Sequence, residues 1–157
     1  SHLSILNALD AFDVVAMCDS SRLVGVVLEK YTGISHVEGF DQLLERELDA
    51  VVICTPTALH ASMVRQALDR GLHVFCEKPL TLSGEQANEL AGLAEAKGLV
   101  AQVGYHNRFI GTFHEVQRLI AGRALGRVRH VLAEAYGPVV LRPSKATWRS
   151  TPEQGGG

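Results

Sequence analysis

The sequence has little cysteine, no long hydrophobic run and no signal-like start, and each of these absences removes a class of protein. Its three cysteines, Cys18, Cys54 and Cys76, include no Cys-x-x-Cys pair, which argues against a disulfide framework and favours reduced core thiols. No stretch reaches the ~18 to 20 consecutive apolar residues that a membrane span requires. Residues 1–10 lack the basic start and apolar centre of a signal peptide, so we expect a cytoplasmic protein without membrane contact.

A metal site is not expected either. The candidate ligands are the three thiols, each of which ends a separate predicted strand, and His60. None of them forms the closely spaced ligand pair that is typical of zinc sites. We therefore predict no bound metal.

The charged residues are divided unevenly along the chain, although the net charge is only -2. Residues 1–107 contain 7 basic residues against 14 acidic ones, whereas residues 108–157 contain 8 against 3. A basic segment can indicate a nucleic-acid surface. Here the arginines are spread over predicted helix, strand and loop without interleaved aromatics, so we expect solvated faces or a pocket for an anionic cofactor, and no nucleic-acid partner.

What the sequence does contain is an alternation of short apolar strands and amphipathic helices. Its 46% hydrophobic and 20% charged residues are an ordinary globular composition, and its length allows one domain and part of another. The predicted strands cover residues 14–18, 35–39, 50–54, 72–76 and 99–103, and the predicted helices cover residues 22–31, 42–48, 59–70 and 84–97. The continuous apolar run of residues 50–54 is typical of a parallel strand covered on both faces. This order predicts right-handed crossovers and a doubly wound, Rossmann-like parallel sheet.

Capping residues support these helix boundaries. Gly33 ends the helix predicted over residues 22–31, and Gly71 follows the helix predicted over residues 59–70 at the position where a left-handed residue is usual. Ser83 and Gln86 form a capping-box pattern at the start of the last of these helices.

The alternation changes after Tyr105. A predicted helix over residues 112–121 is followed by a longer alternating run, residues 127–136, which we expect to be the first strand of a second sheet. We therefore divide the chain into a Rossmann-like domain over residues 1–107 and the beginning of a second domain over residues 108–157.

Polar residues follow four of the predicted strands directly. They are Asp19 after the first strand; Thr55, Pro56, Thr57 and His60 after the third; Glu77, Lys78 and Pro79 after the fourth; and Tyr105, His106, Asn107 and Arg108 after the fifth. Ligands of open α/β sheets bind at the carboxyl ends of the strands. Taken singly, Asp19 can be a helix cap, His60 a surface histidine, and Glu77 with Lys78 a solvated pair. Taken together, the four groups favour a binding edge.

Asp19 has a more specific interpretation. An acidic residue at the end of the second strand of a dinucleotide-binding unit accepts hydrogen bonds from the adenosine ribose and repels a 2'-phosphate. This slightly favours NAD over NADP. However, Ser20, Ser21 and Arg22 follow directly, and a serine and an arginine can hold a 2'-phosphate, so both cofactors stay open.

Four motifs occur in order along nearly the whole chain: Thr-Pro-x3-His, Glu-Lys-Pro, Gly-Tyr-x-x-Arg-Phe and Trp-Arg followed by three glycines. They lie in "DAVVICTPTALHASMVRQALDRGLHVFCEKPLTLSGEQANELAGLAEAKGLVAQVGYHNRF", which has "VVAMCD" before it and "TWRSTPEQGGG" after it. This combination resembles the Gfo/Idh/MocA family of NAD(P)-dependent oxidoreductases. The resemblance implies a Rossmann domain followed by an α/β domain with an open, mostly antiparallel sheet.

The resemblance implies that the first and the last of these motifs contact the cofactor. Thr55, Pro56 and His60 match a loop that lies against it in the family. Trp148 and Arg149 match a loop that enters the site from the second domain.

The Glu-Lys-Pro motif carries the implied catalytic residue. The resemblance implies that Glu77, Lys78 and Pro79 all bind the cofactor. In the family, the lysine that Lys78 matches contacts the nicotinamide ribose and the substrate hydroxyl and helps to move the proton. Elementary chemistry agrees, because the positive charge of a nicotinamide would lower the pKa of a neighbouring lysine. The resemblance also suggests that the bond before Pro79 is cis.

The third motif borders the substrate in the family. Tyr105, Asn107 and Arg108 match it, and the resemblance implies that all three face the substrate and that Asn107 also contacts the cofactor.

The resemblance further implies segments outside this sequence. Family members begin with a strand and a Gly-x-Gly-x-x-Gly turn that holds the pyrophosphate, and they continue past the glycines into a catalytic aspartate and histidine. We therefore expect the 157 residues to be a fragment that is inactive by itself.

The predicted function is hydride transfer between NAD(P) and a secondary alcohol or ketone of a sugar, cyclitol or nucleotide-sugar. The full-length protein is expected to form a homodimer or homotetramer. The alternative is a non-catalytic Rossmann-like binding or assembly module. A glycine-rich turn ahead of Ser1 would favour the enzyme.

Overall fold

The computed structural model describes residues 2–134, in which short strands alternate with helices. The strands are β1 (Ala16–Cys18), β2 (Ser35–Val37), β3 (Ala50–Ile53), β4 (His73–Cys76) and β5 (Ala101–Val103). The helices are α1 (His2–Leu6), α2 (Arg22–Thr32), α3 (Phe40–Leu44), α4 (Thr57–Asp69), α5 (Gly84–Ala96) and α6 (Gly111–Ala121), with a short 3-10 helix at His106–Phe109. The five strands predicted before residue 104 are all present, each one or two residues shorter than predicted. The helix α3 differs most, because it begins two residues and ends four residues before the predicted bounds.

All strand pairings are parallel, as predicted. The strands β1 and β2 form one sheet, and β3, β4 and β5 form a second sheet in that order. In the second sheet Ile53 pairs with Cys76, and Cys76 pairs with Val103, so the three carboxyl ends lie side by side. In the usual strand order of dinucleotide-binding sheets, 3-2-1-4-5-6, strand 1 lies between strands 2 and 4. The strands β1 and β3 correspond to strands 2 and 4 of that order, so the two sheets are divided at the position of strand 1.

The core lies between β3, β4 and the helices α4 and α5. Ile53, Val64, Leu68 and Cys76 are each at most 1% exposed, and Leu90 packs with them. Burial alternates along β3 and β4, so the two strands bury one face more than the other. The expectation that residues 50–54 are covered on both faces is therefore wrong within the described part. The physical reason is that α4 packs against both strands and α5 packs against α4.

Helix ends follow the sequence signals in part. Gly33 has φ of 73°, a left-handed conformation that glycine adopts without strain, and its N–H donates to Glu29 O at 2.8 Å. Ser83 is the N-cap residue just before α5, but its side chain makes no capping hydrogen bond, so the predicted capping box is wrong. The Thr81 hydroxyl instead hydrogen-bonds to both the N–H and the carbonyl of Ser83 and holds this turn.

The predicted second sheet is not confirmed. Residues 127–134 contain no strand, and residues 135 and 136, the end of the predicted strand, lie outside the described residues. A strand needs a neighbour that pairs with its N–H and carbonyl groups. The described part of the chain places no strand beside residues 127–134.

Within residues 2–134, no helix combines the length and the apolar character that crossing a membrane requires.

Candidate functional site

The turn after β4 presents Lys78 at the carboxyl edge of the three-stranded sheet. Glu77 N–H donates to Ile53 O at 2.9 Å, which extends the pairing with β3 by one residue. The peptide bond between Lys78 and Pro79 is cis. Lys78 is exposed, and within residues 2–134 its ammonium has no hydrogen-bond or ion-pair partner. This ammonium is therefore free to contact a bound molecule.

Glu77 is held on both of its carboxylate oxygens. His2 Nε2 lies 2.7 Å from Glu77 Oε1, and Lys78 N–H donates to Glu77 Oε2 at 3.0 Å. The His2 ring also packs against Phe75, with 5.2 Å between the ring centroids. The hydrogen bond from His2 lowers the pKa of the Glu77 carboxyl, although partial burial opposes this shift. Glu77 is thus an ionised carboxylate that positions the turn.

Gly104 provides the space that Glu77 occupies. It follows β5, and its N–H donates to Cys76 O at 2.9 Å. A Cβ atom on residue 104 would lie 3.2 Å from Phe75 Cζ and 3.3 Å from both Cδ and Oε1 of Glu77. These distances are shorter than ordinary van der Waals contacts. The glycine therefore allows the end of β5 to approach the Glu77 carboxylate.

His60 joins the turn after β3 to the turn after β4. It lies in the first turn of α4 and is 1% exposed. Its Nε2 lies 2.8 Å from Thr55 O, and its Nδ1 lies 2.8 Å from Pro79 O. Thr55 Oγ1 also donates to Met63 Sδ at 3.5 Å. Both ring nitrogens therefore contact backbone oxygens of the two turns. The predicted contact of His60 with the cofactor stays a prediction.

The segment after β5 lies at the same edge. Tyr105 N–H donates to Val103 O at 2.7 Å, and Arg108 N–H donates to Tyr105 O at 3.0 Å within the 3-10 helix. Tyr105, Asn107 and Arg108 are exposed. Arg108 O also contacts His114 Nε2 at the start of α6. Their contacts with a substrate stay predictions.

Asp19 lies at the end of β1, in the other sheet. One of its oxygens, Oδ1, accepts the Ser21 N–H at 2.7 Å, which leaves Oδ2 for a ligand. His36 Nε2 contacts Asp19 O at 3.0 Å and fixes the backbone of this turn. The His36 ring lies against Gly25, where a Cβ atom would be only 2.1 Å from Nε2. Gly25 therefore makes room for the ring that holds the Asp19 turn.

Of the two residues that could hold a 2'-phosphate, Ser20 and Arg22, the arginine already lies near a carboxylate. Ser20 and Arg22 are exposed, and Arg22 Nε lies 3.7 Å from Glu38 Oε1. Both partners of this ion pair are mostly solvated, so it is weak.

The three cysteines are free thiols in the described part of the chain. Burial raises the pKa of the Cys76 thiol to about 12 and also raises the pKa values of Cys18 and Cys54. No cluster of three or more metal-ligating side chains occurs within residues 2–134.

The structure thus brings many of the predicted residues to one edge. Hydrogen bonds and strand register connect the segments that contain Thr55, Pro56, His60, Glu77, Lys78, Pro79, Tyr105, Asn107 and Arg108. Within residues 2–134, no hydrogen bond or ion pair connects the Asp19 turn to these segments. Trp148 and Arg149 lie outside the described residues.

Sequence reasoning missed four residues that support the site: His2, Gly25, His36 and Gly104. A glycine inside a predicted helix was a usable signal for Gly25, because such a glycine often marks a close approach. The two histidines gave no local signal, because their partners are distant in sequence.

The comparisons decide the family. Residues 1–105 match the model of an oxidoreductase family with an NAD-binding Rossmann fold. The chain belongs to this family. It is the Gfo/Idh/MocA family, as the motifs indicated, and the Rossmann-like fold class is confirmed.

Members of the Gfo/Idh/MocA family that resemble this chain act on sugars and cyclitols. The dTDP-3,4-didehydro-2,6-dideoxy-alpha-D-glucose 3-reductase of Streptomyces violaceoruber is 41% identical over 102 residues, covering 64% of this chain and 30% of that protein. The NAD(+) scyllo-inositol 2-dehydrogenase of Bacillus subtilis is 34% identical over 88 residues, covering 56% of this chain and 26% of that protein.

A solved structure in this family shows the same fold. KijD10, a 3-ketoreductase from Actinomadura kijaniata in complex with NADP and TDP-benzene, superposes with a TM-score of 0.69 at 30% identity. The match covers 76% of this chain and 37% of that chain. The 157-residue chain spans less than half the length of these relatives.

Proposed function

We propose that the protein containing this chain transfers a hydride between NAD or NADP and a secondary alcohol or ketone of a sugar, cyclitol or nucleotide-sugar. One observation carries this proposal: Lys78 extends from a turn that is fixed on several sides, while its ammonium is unpaired within residues 2–134. A catalytic group needs such a fixed backbone and a free functional end.

Lys78 acts on the proton in this proposal. A lysine beside the substrate hydroxyl stabilises the oxygen from which the proton leaves and accepts or relays that proton, and it returns the proton in the reverse direction. The nicotinamide ring of the bound cofactor supplies or accepts the hydride. Glu77 does not compete for this role, since His2 and the Lys78 amide engage its carboxylate.

The adenosine end of the cofactor would lie at the Asp19 turn. Oδ2 of Asp19 can accept a hydrogen bond from a ribose hydroxyl, and the negative charge of the carboxylate opposes a 2'-phosphate. Arg22 offers the opposite preference, but Glu38 competes for its guanidinium. This balance supports NAD as the preferred cofactor, with NADP accepted more weakly.

The remaining predicted contacts complete the proposal. Tyr105, Asn107 and Arg108 would border a carbohydrate-like substrate, and Trp148 with Arg149 would approach the cofactor from the second domain. Their hydroxyl, amide and guanidinium groups suit the oxygen-rich surface of a sugar. We further propose a homodimer or homotetramer for the whole protein.

Cofactor binding and the role of Lys78 can be tested separately. NADH and NADPH are titrated against the purified protein after its intact mass has been compared with the 17.0 kDa of the 157 residues. Lys78→Met is expected to keep NADH affinity within about threefold but to lower kcat by about 100-fold or more. Lys30→Met, at the exposed end of α2, is the matched control and should leave both values unchanged. Equal turnover in the Lys78 and Lys30 variants would refute the assignment.

A further inference from the structure

The His2 side chain reaches the Glu77 carboxylate from 75 residues away in the sequence. Its Nε2 lies 2.7 Å from Glu77 Oε1, and because an ionised carboxylate only accepts hydrogen bonds, the N–H of His2 is the donor. The imidazole ring packs against Phe75, with 5.2 Å between the ring centroids. Phe75 lies in β4 and Glu77 directly follows this strand, so one segment provides both partners of His2.

Exposure limits what this pair contributes to the stability of the fold. The side chains of His2 and Glu77 are 41% and 32% exposed, and water screens a charged pair at such positions. The hydrogen bond nevertheless decides which group contacts Glu77 Oε1. That choice matters because of the residue that follows Glu77.

The competing partner of the Glu77 carboxylate is the ammonium of Lys78. The hydrogen bond from His2 is the largest cause that lowers the pKa of Glu77, and the charge of Lys78 is a further cause, so the carboxylate and the ammonium attract each other. Within residues 2–134 they form no ion pair, since Oε1 lies at His2 and Oε2 accepts the Lys78 N–H at 3.0 Å. Loss of the His2 donor would release Oε1 for the ammonium, whereas Oε2 would keep its backbone contact.

We propose that His2 is a positioning residue which, by holding Glu77 Oε1, keeps the carboxylate from pairing with the Lys78 ammonium. The ammonium then stays free for a bound molecule, although the neighbouring residue carries the opposite charge. The effect on turnover rests on the proposed function of Lys78. The competition between His2 and Lys78 for the carboxylate does not.

Acylation rates test the competition in the cofactor-free protein. A carboxylate that pairs with an ammonium favours the charged form of the amine, which does not react with N-hydroxysuccinimide acetate. We therefore expect the rate at Lys78, measured by peptide mass spectrometry relative to the exposed Lys30, to fall about threefold or more in His2→Asn. An unchanged rate in this variant would overturn the proposal.

His2→Gln is the matched variant for His2→Asn. Both changes remove the ring that packs against Phe75, but glutamine is longer by a methylene group and can place its amide nitrogen near the position of Nε2. The acylation rate at Lys78 should therefore stay near the wild-type rate in His2→Gln. Equal rates in the two variants would show that the ring, and not the donor, is what matters, and would overturn the proposal.

Turnover of the protein that contains this chain provides the second test. We expect His2→Asn to lower kcat about 10-fold while KM for NADH stays within about twofold. Adding Glu77→Gln removes the charge that captures the ammonium, so the double variant should recover most of the lost kcat. A further fall would overturn the proposal, because a merely structural role of both residues predicts accumulating damage. His130→Asn, at an exposed position, is the control and should leave kcat unchanged.

The two tests separate this inference from the proposed function. If Lys78→Met kept its turnover, the proposed function would fail, and the acylation rates would still decide the competition. If Lys78→Met lost its turnover while His2→Asn kept the wild-type acylation rate, only the inference on His2 would fail. Urea unfolding of each variant checks that it is folded in both tests.

Discussion

The replacement of Gly104 by alanine tests how tightly the end of β5 packs against Glu77. The new Cβ would lie 3.2 Å from Phe75 Cζ and 3.3 Å from Glu77 Oε1, so these neighbours must move by a few tenths of an ångström. Overpacking of this kind costs about 1–3 kcal/mol. The loss of a flexible glycine from the unfolded chain offsets about 0.4–1 kcal/mol. We therefore expect Gly104→Ala to lower the free energy of unfolding by about 1 kcal/mol.

The matched control is Gly92→Ala in the interior of α5. A Cβ atom at this position meets no atom within 4 Å, and alanine is a better helix former than glycine. We expect this variant to raise the free energy of unfolding by about 0.5–1 kcal/mol. Urea unfolding followed by circular dichroism measures both changes through the midpoint at constant slope. If the two variants were equally stable, the reasoning about the contact at Gly104 would be refuted.

A double-mutant cycle identifies the atom that is displaced. In a Glu77→Ala background the carboxylate is gone, so Gly104→Ala should cost less than in the wild type, by about 0.5 kcal/mol or more. The remaining cost would come from Phe75 alone. Full additivity would show that Glu77 does not feel the new methyl group.

Three further predictions concern Glu77, Cys76 and Gly25. The His2 hydrogen bond lowers the pKa of Glu77, so the stabilisation of the fold by the ionised carboxylate is present above the ordinary pKa of 4.5 and is lost as the pH falls through the lower folded value. His2→Ala should therefore flatten this acid dependence of the urea midpoint. Cys76 is 1% exposed with a pKa of about 12, so Ellman's reagent at about pH 8 should label it only after unfolding. The Cβ atom of Gly25→Ala would displace the His36 ring, which holds the Asp19 turn. This variant should unfold at a lower urea concentration and bind NADH more weakly, and an unchanged NADH affinity would contradict the role of this turn.

The elements that sequence reasoning predicted best are short, mainly apolar runs that end at turn-forming or charged residues. The strands β3 and β4 were located to within one residue, because Thr55 and Pro56 follow the first run and Glu77 and Lys78 follow the second. The alternating run of residues 127–136 carried an equally clear pattern, yet residues 127–134 form no strand. A strand also depends on a partner, which local pattern does not supply.

The candidate site was predicted as positions but not as contacts. Its residues were placed at strand ends because each follows an apolar run, and this prediction required only the sheet topology. The pairing of His2 with Glu77 spans 75 residues, and no periodicity connects the two. Likewise, the burial of His60 could not be distinguished from surface exposure, because a histidine in the first turn of a helix is common in either setting.

The separation of the Asp19 turn from the Lys78 turn has a consequence for how such a protein can diversify. His36 and Gly25 hold the first turn, whereas His60 and Gly104 support the second. A lineage could therefore change the residues of the first turn while the Lys78 turn and its supporting contacts stay intact. The same division gives an engineer two independent targets in one small domain.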